Sequence, residues 1–204
     1  IVTGDASVGA DTLRSIEGVQ GTFFADTYNA TNYGSGAIDP NTGLPYANVG
    51  NNGTFNQFEG MAGNDTITAG DGNDSITGGA DNDTIVFGNN LTNADTVDGA
   101  AGTDVLTFTD NATGTNDLDN VTNVETITLG NAVTSVTTVD GLVANGASLT
   151  VDATALTAGS TLTWNGAAES NGTFSIAGGA GNDTITGGAG ADTVNAGDGN
   201  DAIT

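Results

Sequence analysis

The chain of 204 residues carries 33 glycines and 25 acidic residues against a single basic one, Arg14, for a formal net charge of −24. That balance tells against nucleic acid as a partner, because phosphate contacts need the lysines and arginines this chain lacks. It contains neither cysteine nor histidine, so disulfides, thiolate or imidazole metal sites and a histidine-activated nucleophile are excluded, which leaves all-oxygen ligand sets suited to hard cations.

One cationic side chain cannot neutralise such an excess, since two like charges near a protein surface repel by about 4 kcal/mol at roughly 4 Å. An external cation is needed. Hydrophobic residues make up 36% of the chain, enough to line a narrow core, so folding is expected to be conditional on metal. No apolar run is long enough to span a bilayer, and no leader pattern opens at Ile1, so the sequence reads as a piece of a larger protein without a membrane span.

In chain order, the first elements are two degenerate nine-residue rows, ASVGADTLR around Asp11 and GTFFADTYN around Asp26. The stretch from Ala30 to Phe55, with Asp39-Pro40 and Leu44-Pro45, reads as a long loop excursion, and 1–59 forms a first segment. A clear array follows over 60–107. Its rows GMAGNDTIT, AGDGNDSIT and GGADNDTIV set Asp65, Asp74 and Asp83 in nine-residue step, with Ile67, Ile76 and Ile85 two residues after each. Three extra residues near Phe87 to Asn89 then shift the register before two weaker rows, NLTNADTVD with Asp95 and GAAGTDVLT with Asp104.

From 108 to 177 the glycine turns are missing, but period-two alternation predicts strands over Glu125–Leu129, Ser135–Val139, Ser148–Asp152, Thr161–Trp164 and Phe174–Ile176. Irregular rungs of one solenoid suit their spacing; a β-sandwich inserted between two arrays is the competing reading. The segment 178–204 closes the chain with GGAGNDTIT, GGAGADTVN and AGDGNDAIT, carrying Asp183, Asp192 and Asp201. A smaller motif recurs where repeat and non-repeat segments meet: Ile16-Glu17-Gly18-Val19, Phe58-Glu59-Gly60-Met61 and Val124-Glu125-Thr126-Ile127. In it the glutamate either caps backbone amides or completes an ion site, or else it is a solvated outward residue of a strand.

The rows resemble the RTX, or hemolysin-type, calcium-binding nonapeptide GGxGxDxUx, with U a large apolar residue. Six residues of each row form a turn and three a strand with U inward, and strands stacked at about 4.8 Å bring turns of alternate rows together. The resemblance implies an all-β, right-handed parallel β-roll or β-helix solenoid in which several calcium ions per chain lie between successive turns on one side. The ligands it implies are Gly60, Ala62, Asn64 and Asp65 in the first clear row, Asp71, Asn73 and Asp74 in the second, and Gly78, Ala80, Asn82 and Asp83 in the third. Asp95 and Asp104 follow from the weaker rows. The closing array contributes Gly178, Ala180, Asn182, Asp183, Gly187, Ala189, Asp192, Asp198, Asn200 and Asp201. Asp65 and Asp83 would share an ion, as would Asp183 and Asp201; Asp74 would need Asp95 across the three-residue insertion, and the next partner of Asp192 would lie beyond Thr204. Asp81, Phe24 and Asn93 replace the fourth-position glycine in their rows, which weakens the expectation there.

Other features read as structure. Trp164 and the phenylalanines suit a core. Asp117 and Asp119 read as turn acids rather than a glycosidase pair, and the Asn-x-Thr/Ser sequons at Asn64, Asn73, Asn82 and Asn182 are generated by the repeat. No acid/base or nucleophile constellation is present, so the chain is expected not to be an enzyme. The resemblance implies type I secretion and an extracellular or bacterial cell-surface location. The parent would be an S-layer protein, an adhesin or an extracellular fibre, or else a secreted enzyme carrying this chain as a folding module. Expected partners are calcium ions and either further repeats of the parent or copies of the chain itself.

Overall fold

The computed structural model describes residues 2–3, 18–30, 57–110 and 114–204. The row around Asp11, Arg14, the junction glutamate Glu17 and the loop excursion from 31 to 55 lie outside the described residues.

Among the described residues there is no helix. The strands of the first half are β1 (Val2–Thr3), β2 (Gly18–Gln20), β3 (Thr27–Asn29), β4 (Gln57–Glu59), β5 (Thr66–Thr68), β6 (Ser75–Ala80), β7 (Thr84–Gly88), β8 (Thr96–Ala101) and β9 (Val105–Phe108). Those of the second half are β10 (Val121–Thr122), β11 (Thr126–Leu129), β12 (Thr134–Thr137), β13 (Ser148–Asp152), β14 (Leu162–Asn165), β15 (Thr173–Ala177), β16 (Thr184–Thr186), β17 (Thr193–Asn195) and β18 (Ala202–Ile203). They form three parallel sheets: β1-β2-β4-β6-β8-β10, an eight-stranded sheet from β3 through every odd strand to β17, and β12-β14-β16-β18. Each strand therefore pairs with the strand one coil away, and the chain is a β-solenoid of the β-roll kind. Of the strands of 108–177, β11, β13 and β15 belong to the same continuous eight-stranded sheet as both arrays, β10 ends the first sheet, and β12 and β14 lead into the closing array in the third, so the segment continues the solenoid and is not a sandwich.

The register is set by one apolar residue per strand. Tyr28, Ile67, Ile85, Leu106, Ile127, Val151, Ile176 and Val194 face one another in succession down the eight-stranded sheet. Phe58, Ile76, Val97 and Val121 form the opposing column, which Val136, Trp164, Ile185 and Ile203 replace in the later coils. Within each strand the flanking threonines turn outward, because side chains alternate faces. A slip of one residue would expose the whole column, so the apolar period fixes which strands pair.

The columns also explain how the coil absorbs irregularity. Ile67 is opposite Ile85, 18 positions on; Ile85 is opposite Leu106, 21 positions on; Val151 is opposite Ile176, 25 positions on; and Ile176 is opposite Val194, again 18. The extra residues leave through the turns. A β-bulge between Val86 and Gly88 marks the insertion, yet Ser75 and Ile76 still face Thr96 and Val97. In one respect the six-plus-three division fails: β6 and β8 run on into the glycine positions, with Gly79 and Ala80 paired to Ala100 and Ala101.

Trp164 is 1% exposed and meets Phe174 edge to face, with ring centroids 5.6 Å apart, which places it in the core. Ile85 is fully buried at the centre of its column. Ile85→Ala is expected to cost about 2–5 kcal/mol by transfer and cavity terms together, read as a fall in the urea midpoint measured in calcium.

Candidate metal centre

Two edges of the solenoid are built from the turns. On the first, turns lead into odd-numbered strands and end on Asp26, Asp65, Asp83 and Asp104, and later on Asp192. On the second, turns lead into even-numbered strands and end on Asp74 and Asp95, and later on Asp183 and Asp201. The coil repeat stacks these residues directly, because each stands one position before a strand in register with its neighbour.

Along the first edge the carboxylates link coil to coil. The backbone N–H of Asp26 donates to Asp65 Oδ1 at 2.6 Å, that of Asp65 to Asp83 Oδ1 at 2.8 Å, and that of Asp83 to Asp104 Oδ1 at 2.8 Å. The second edge repeats the bond: Asp74 donates to Asp95 Oδ1 at 2.7 Å, Leu162 to Asp183 Oδ1 at 2.8 Å, and Asp183 to Asp201 Oδ1 at 2.9 Å. Asp74 and Asp95 are thus neighbours despite the insertion between them. Asp192 accepts from Phe174 N at 2.8 Å, so its neighbour in the preceding coil is a turn without a consensus aspartate.

What the second oxygen does divides the turns into two kinds. In two degenerate rows a threonine satisfies it: Asp26 Oδ2 accepts from Thr22 N and Oγ1 at 2.7 and 3.0 Å, and Asp95 Oδ2 from Thr92 N and Oγ1 at 2.8 and 3.1 Å. In the closing array glycine amides serve, Gly179 N to Asp183 Oδ2 at 3.2 Å and Gly188 N to Asp192 Oδ2 at 2.8 Å. Asp65, Asp83 and Asp104 differ. Each is at most 1% exposed, and its Oδ2 is buried with no hydrogen-bond partner. A buried unsatisfied carboxylate oxygen is costly, and here three stand one coil apart in succession.

The electrostatics follow from that placement. Burial pushes the Asp65 carboxyl up to about 6, with Asp83 and Asp26 adding repulsion against the lowering effect of the Asp26 amide. Asp104 is raised to about 6, again by burial first, with Asp83, Glu125 and Asp98 nearby. Asp83 and Asp95 are raised by burial too. Burial thus disfavours the charged form of three acids stacked one coil apart, and a cation beside them would favour it.

The backbone completes the cradle. A side chain at Gly60 would strike the carbonyl oxygen of Gly78 and Asp65 Oδ2, and one at Gly78 would strike Asp83 Oδ2 and, at 2.8 Å, the Gly99 carbonyl. Glycine at the first position therefore lets a carboxylate oxygen and a carbonyl from the next coil come together at its Cα. Among the described residues no three carboxylates converge on one point, so a cation here would take one carboxylate per turn and fill its shell with main-chain oxygens. That donor set fits calcium.

The remaining implied ligands have other contacts. Asn64 Oδ1 accepts from Asn82 N at 3.1 Å, Asn82 Oδ1 from Thr103 N at 2.9 Å and Asn182 Oδ1 from Asn200 N at 2.9 Å, an outer line of coil-to-coil bonds on exposed side chains. Asp81, in place of the fourth-position glycine, adopts a φ of 79° and accepts from Gly63 N at 3.2 Å. Asp71 is half-buried, while Asn73, Asp198 and Asn200 are exposed. Gly178 keeps the cradle geometry: a side chain there would meet the Ala196 carbonyl and, at 2.7 Å, Asp183 Oδ2. Ala62, Ala80, Ala180, Gly187 and Ala189 lie in the same turns, and of them Ala80 gives its carbonyl to Gly63 N.

Asp117 and Glu169 are buried acids outside the rows that the sequence did not mark as buried, whereas Glu125 and Glu59 belong to the junction motif it singled out. Asp117 is 3% exposed, not a solvated turn acid; burial, then Asp110, Asp95 and Asp119, push it up to about 6. Glu169 is 1% exposed and caps Asn171 N and Gly172 N at 3.0 and 2.7 Å. Glu125, in the third junction motif, accepts from Asp104 N through Oε2 at 2.8 Å, so it caps an amide. Glu59, in the second, is an exposed strand residue that accepts from Gln20 at 3.0 Å. The adjacency of Asp117 to Leu118 and the apolar-Glu-x-apolar motif were the available signals.

Thr92→Val removes one donor to Asp95 Oδ2 and leaves the amide. It is expected to lower stability by about 1 kcal/mol, read from the thermal midpoint in calcium.

A family model described as the RTX calcium-binding nonapeptide repeat, in four copies, matches residues 50–89, 92–108 and 175–203. No curated protein and no solved structure matches the chain. These matches show that the chain carries RTX calcium-binding nonapeptide repeats in both arrays, on a parallel solenoid whose turns stack acidic oxygens against glycine cradles.

Proposed function

We propose that the chain is a structural module of a large secreted or cell-surface protein, an S-layer, adhesin or extracellular-fibre segment, which folds when its turns bind calcium. The observation that carries this reading is the run of buried, unpartnered Oδ2 atoms on Asp65, Asp83 and Asp104. Asp65 and Asp83, with carbonyls from the glycine column of Gly60 and Gly78, are the principal ligands, and Asp183, Asp192 and Asp201 hold the second set. When bound, the ion neutralises these carboxylates and ties neighbouring coils.

Export before folding suits this chemistry. In low cytosolic calcium the carboxylates repel and the chain stays open for type I secretion; outside the cell, ion binding to the folded state alone pulls the equilibrium over. The chain's own residues then act as scaffold rather than catalyst: the apolar columns set coil register, and the acids hold the ions. No helix among the described residues is long and apolar enough to cross a membrane.

Calorimetric titration of the chelator-stripped chain tests the reading. Several calcium ions are expected per chain, with β-sheet circular dichroism rising alongside them. Asp83→Asn, which keeps the coil-to-coil acceptor and removes the charge, is expected to take up at least one ion fewer. Equal uptake by both proteins would overturn the ligand assignment. Electron microscopy addresses the surface role, where sheets or filaments that form only with calcium support a lattice or fibre and monomers in both states count against it.

A further inference from the structure

The first edge continues where the repeat stops. The family match in this part of the chain ends at Phe108, and the stretch leading into β11 has neither a first-position glycine nor a consensus aspartate. Glu125 nonetheless places Oε2 on the backbone N–H of Asp104 at 2.8 Å. That is the bond Asp83 Oδ1 makes to Asp65 N and Asp104 Oδ1 makes to Asp83 N, each at 2.8 Å. The main chain follows the same course. Asn123, at a φ of 51°, brings its carbonyl oxygen against Gly99, as the Gly78 carbonyl lies against Gly60 and the Gly99 carbonyl against Gly78.

Inside this step, Asp104 is 0% exposed and its Oδ2 has no hydrogen-bond partner. That oxygen lies 2.7 Å from where a Gly99 side chain would begin, the same place the Asn123 carbonyl occupies. Two oxygens thus converge on the space that a glycine leaves open, and the half-buried carboxylate of Glu125 stands one coil further on. Glu125 has the position on the edge that Asp83 has beneath Asp65 and Asp104 has beneath Asp83.

We propose that Asp104, the Asn123 carbonyl and Glu125 form a further site for a hard divalent cation, calcium under physiological conditions, which carries the ion column one coil beyond the recognisable repeat. The proposal rests on the calcium reading of the rows before it. An oxygen-only donor set with two carboxylates suits calcium, and the ion ties the last glycine turn of the first array to the segment without glycine turns. The glutamate of the junction motif is then the residue that lets a repeat array join an irregular rung without leaving a buried charge unbalanced.

The alternative is that Glu125 only caps the Asp104 amide. Glu125→Gln separates the two, because a carboxamide oxygen still accepts that N–H while the charge is lost. Calorimetric calcium titrations of the chelator-stripped 204-residue chain are compared for wild type, Glu125→Gln and Asp83→Asn. Glu125→Gln is expected to bind one ion fewer, or to weaken one site at least tenfold. Uptake and affinities equal to wild type would overturn the proposal. If Asp83→Asn loses an ion and Glu125→Gln does not, the repeat reading stands and this site falls; if wild type takes up no calcium, both fall. Should Glu125→Gln fail to fold, Glu125→Asp retracts the carboxylate by one methylene and keeps the charge. It is expected to keep the ion count with weaker affinity at one site, and unchanged affinity there would equally overturn the assignment.

Discussion

Chelating the calcium-loaded chain at neutral pH is expected to abolish most of its β-sheet circular dichroism and to shift Trp164 emission to that of a solvent-exposed indole. The folded chain stacks three carboxylate oxygens, on Asp65, Asp83 and Asp104, that have no partner and are shut away from water. A single ion held at one hundred times its dissociation constant stabilises the fold by about 2.7 kcal/mol. Several such ions together match the whole stability of an ordinary domain, about 5–15 kcal/mol. Several strands bury two large apolar side chains, Ile85 and Phe87 in β7 and Leu106 and Phe108 in β9 among them, but that burial offsets the entropy of ordering the chain and leaves the buried carboxylates uncompensated. Trp164 reports the event because it is buried against Phe174 in the later coils. A chain that kept its sheet signal and its buried tryptophan in excess chelator would show that the columns alone hold the solenoid.

Acid is expected to act in opposite directions with and without calcium. Asp65 and Asp104 have their carboxyls raised from 3.8 to about 6 in the folded chain, so between those values the folded state binds more protons than the unfolded one. Stability of the calcium-free chain therefore falls as pH rises through this window, and is greatest below about pH 4. In calcium the sign reverses, because the ion needs the ionised carboxylates and is released as they protonate. Acidifying from pH 7 to pH 5 is expected to lower the thermal midpoint in millimolar calcium and to raise the midpoint, or restore sheet signal, in chelator. Asp26, Asp83, Asp98 and Glu125 face these two groups, so the transition is broad. Parallel pH profiles in the two conditions would refute the account.

Much of the fold was legible because the repeat writes it locally. An aspartate two residues before a large apolar side chain marks turn end and strand centre together, and in the rows around Ile67 and Ile185 that reading agrees with the strands, while around Ile76 and Ile85 the strand starts where expected and runs on further. Alternation was enough in the irregular segment as well: Ser148–Asp152 is β13, and the strands expected near Ser135 and Thr161 fall within one residue of β12 and β14 at their starts. The insertion at Phe87 was misleading in one way, since a length change in sequence looks like lost register. In a solenoid it is not, because pairing is set by the apolar column and surplus residues leave through the turn.

The chain's own sequence determined the solenoid and the two acidic edges and pointed to an outside cation, since a nine-residue period, alternating side chains and a charge of −24 are properties of neighbouring residues and of simple sums. Only the tertiary structure decided which acids are left with an idle oxygen. Whether Asp95 is satisfied by Thr92, Asp65 is not, and Glu125 takes up the place of an aspartate depends on groups one coil apart. Their separation in sequence varies with every turn, whereas their separation in space is held constant by the stacking of the strands.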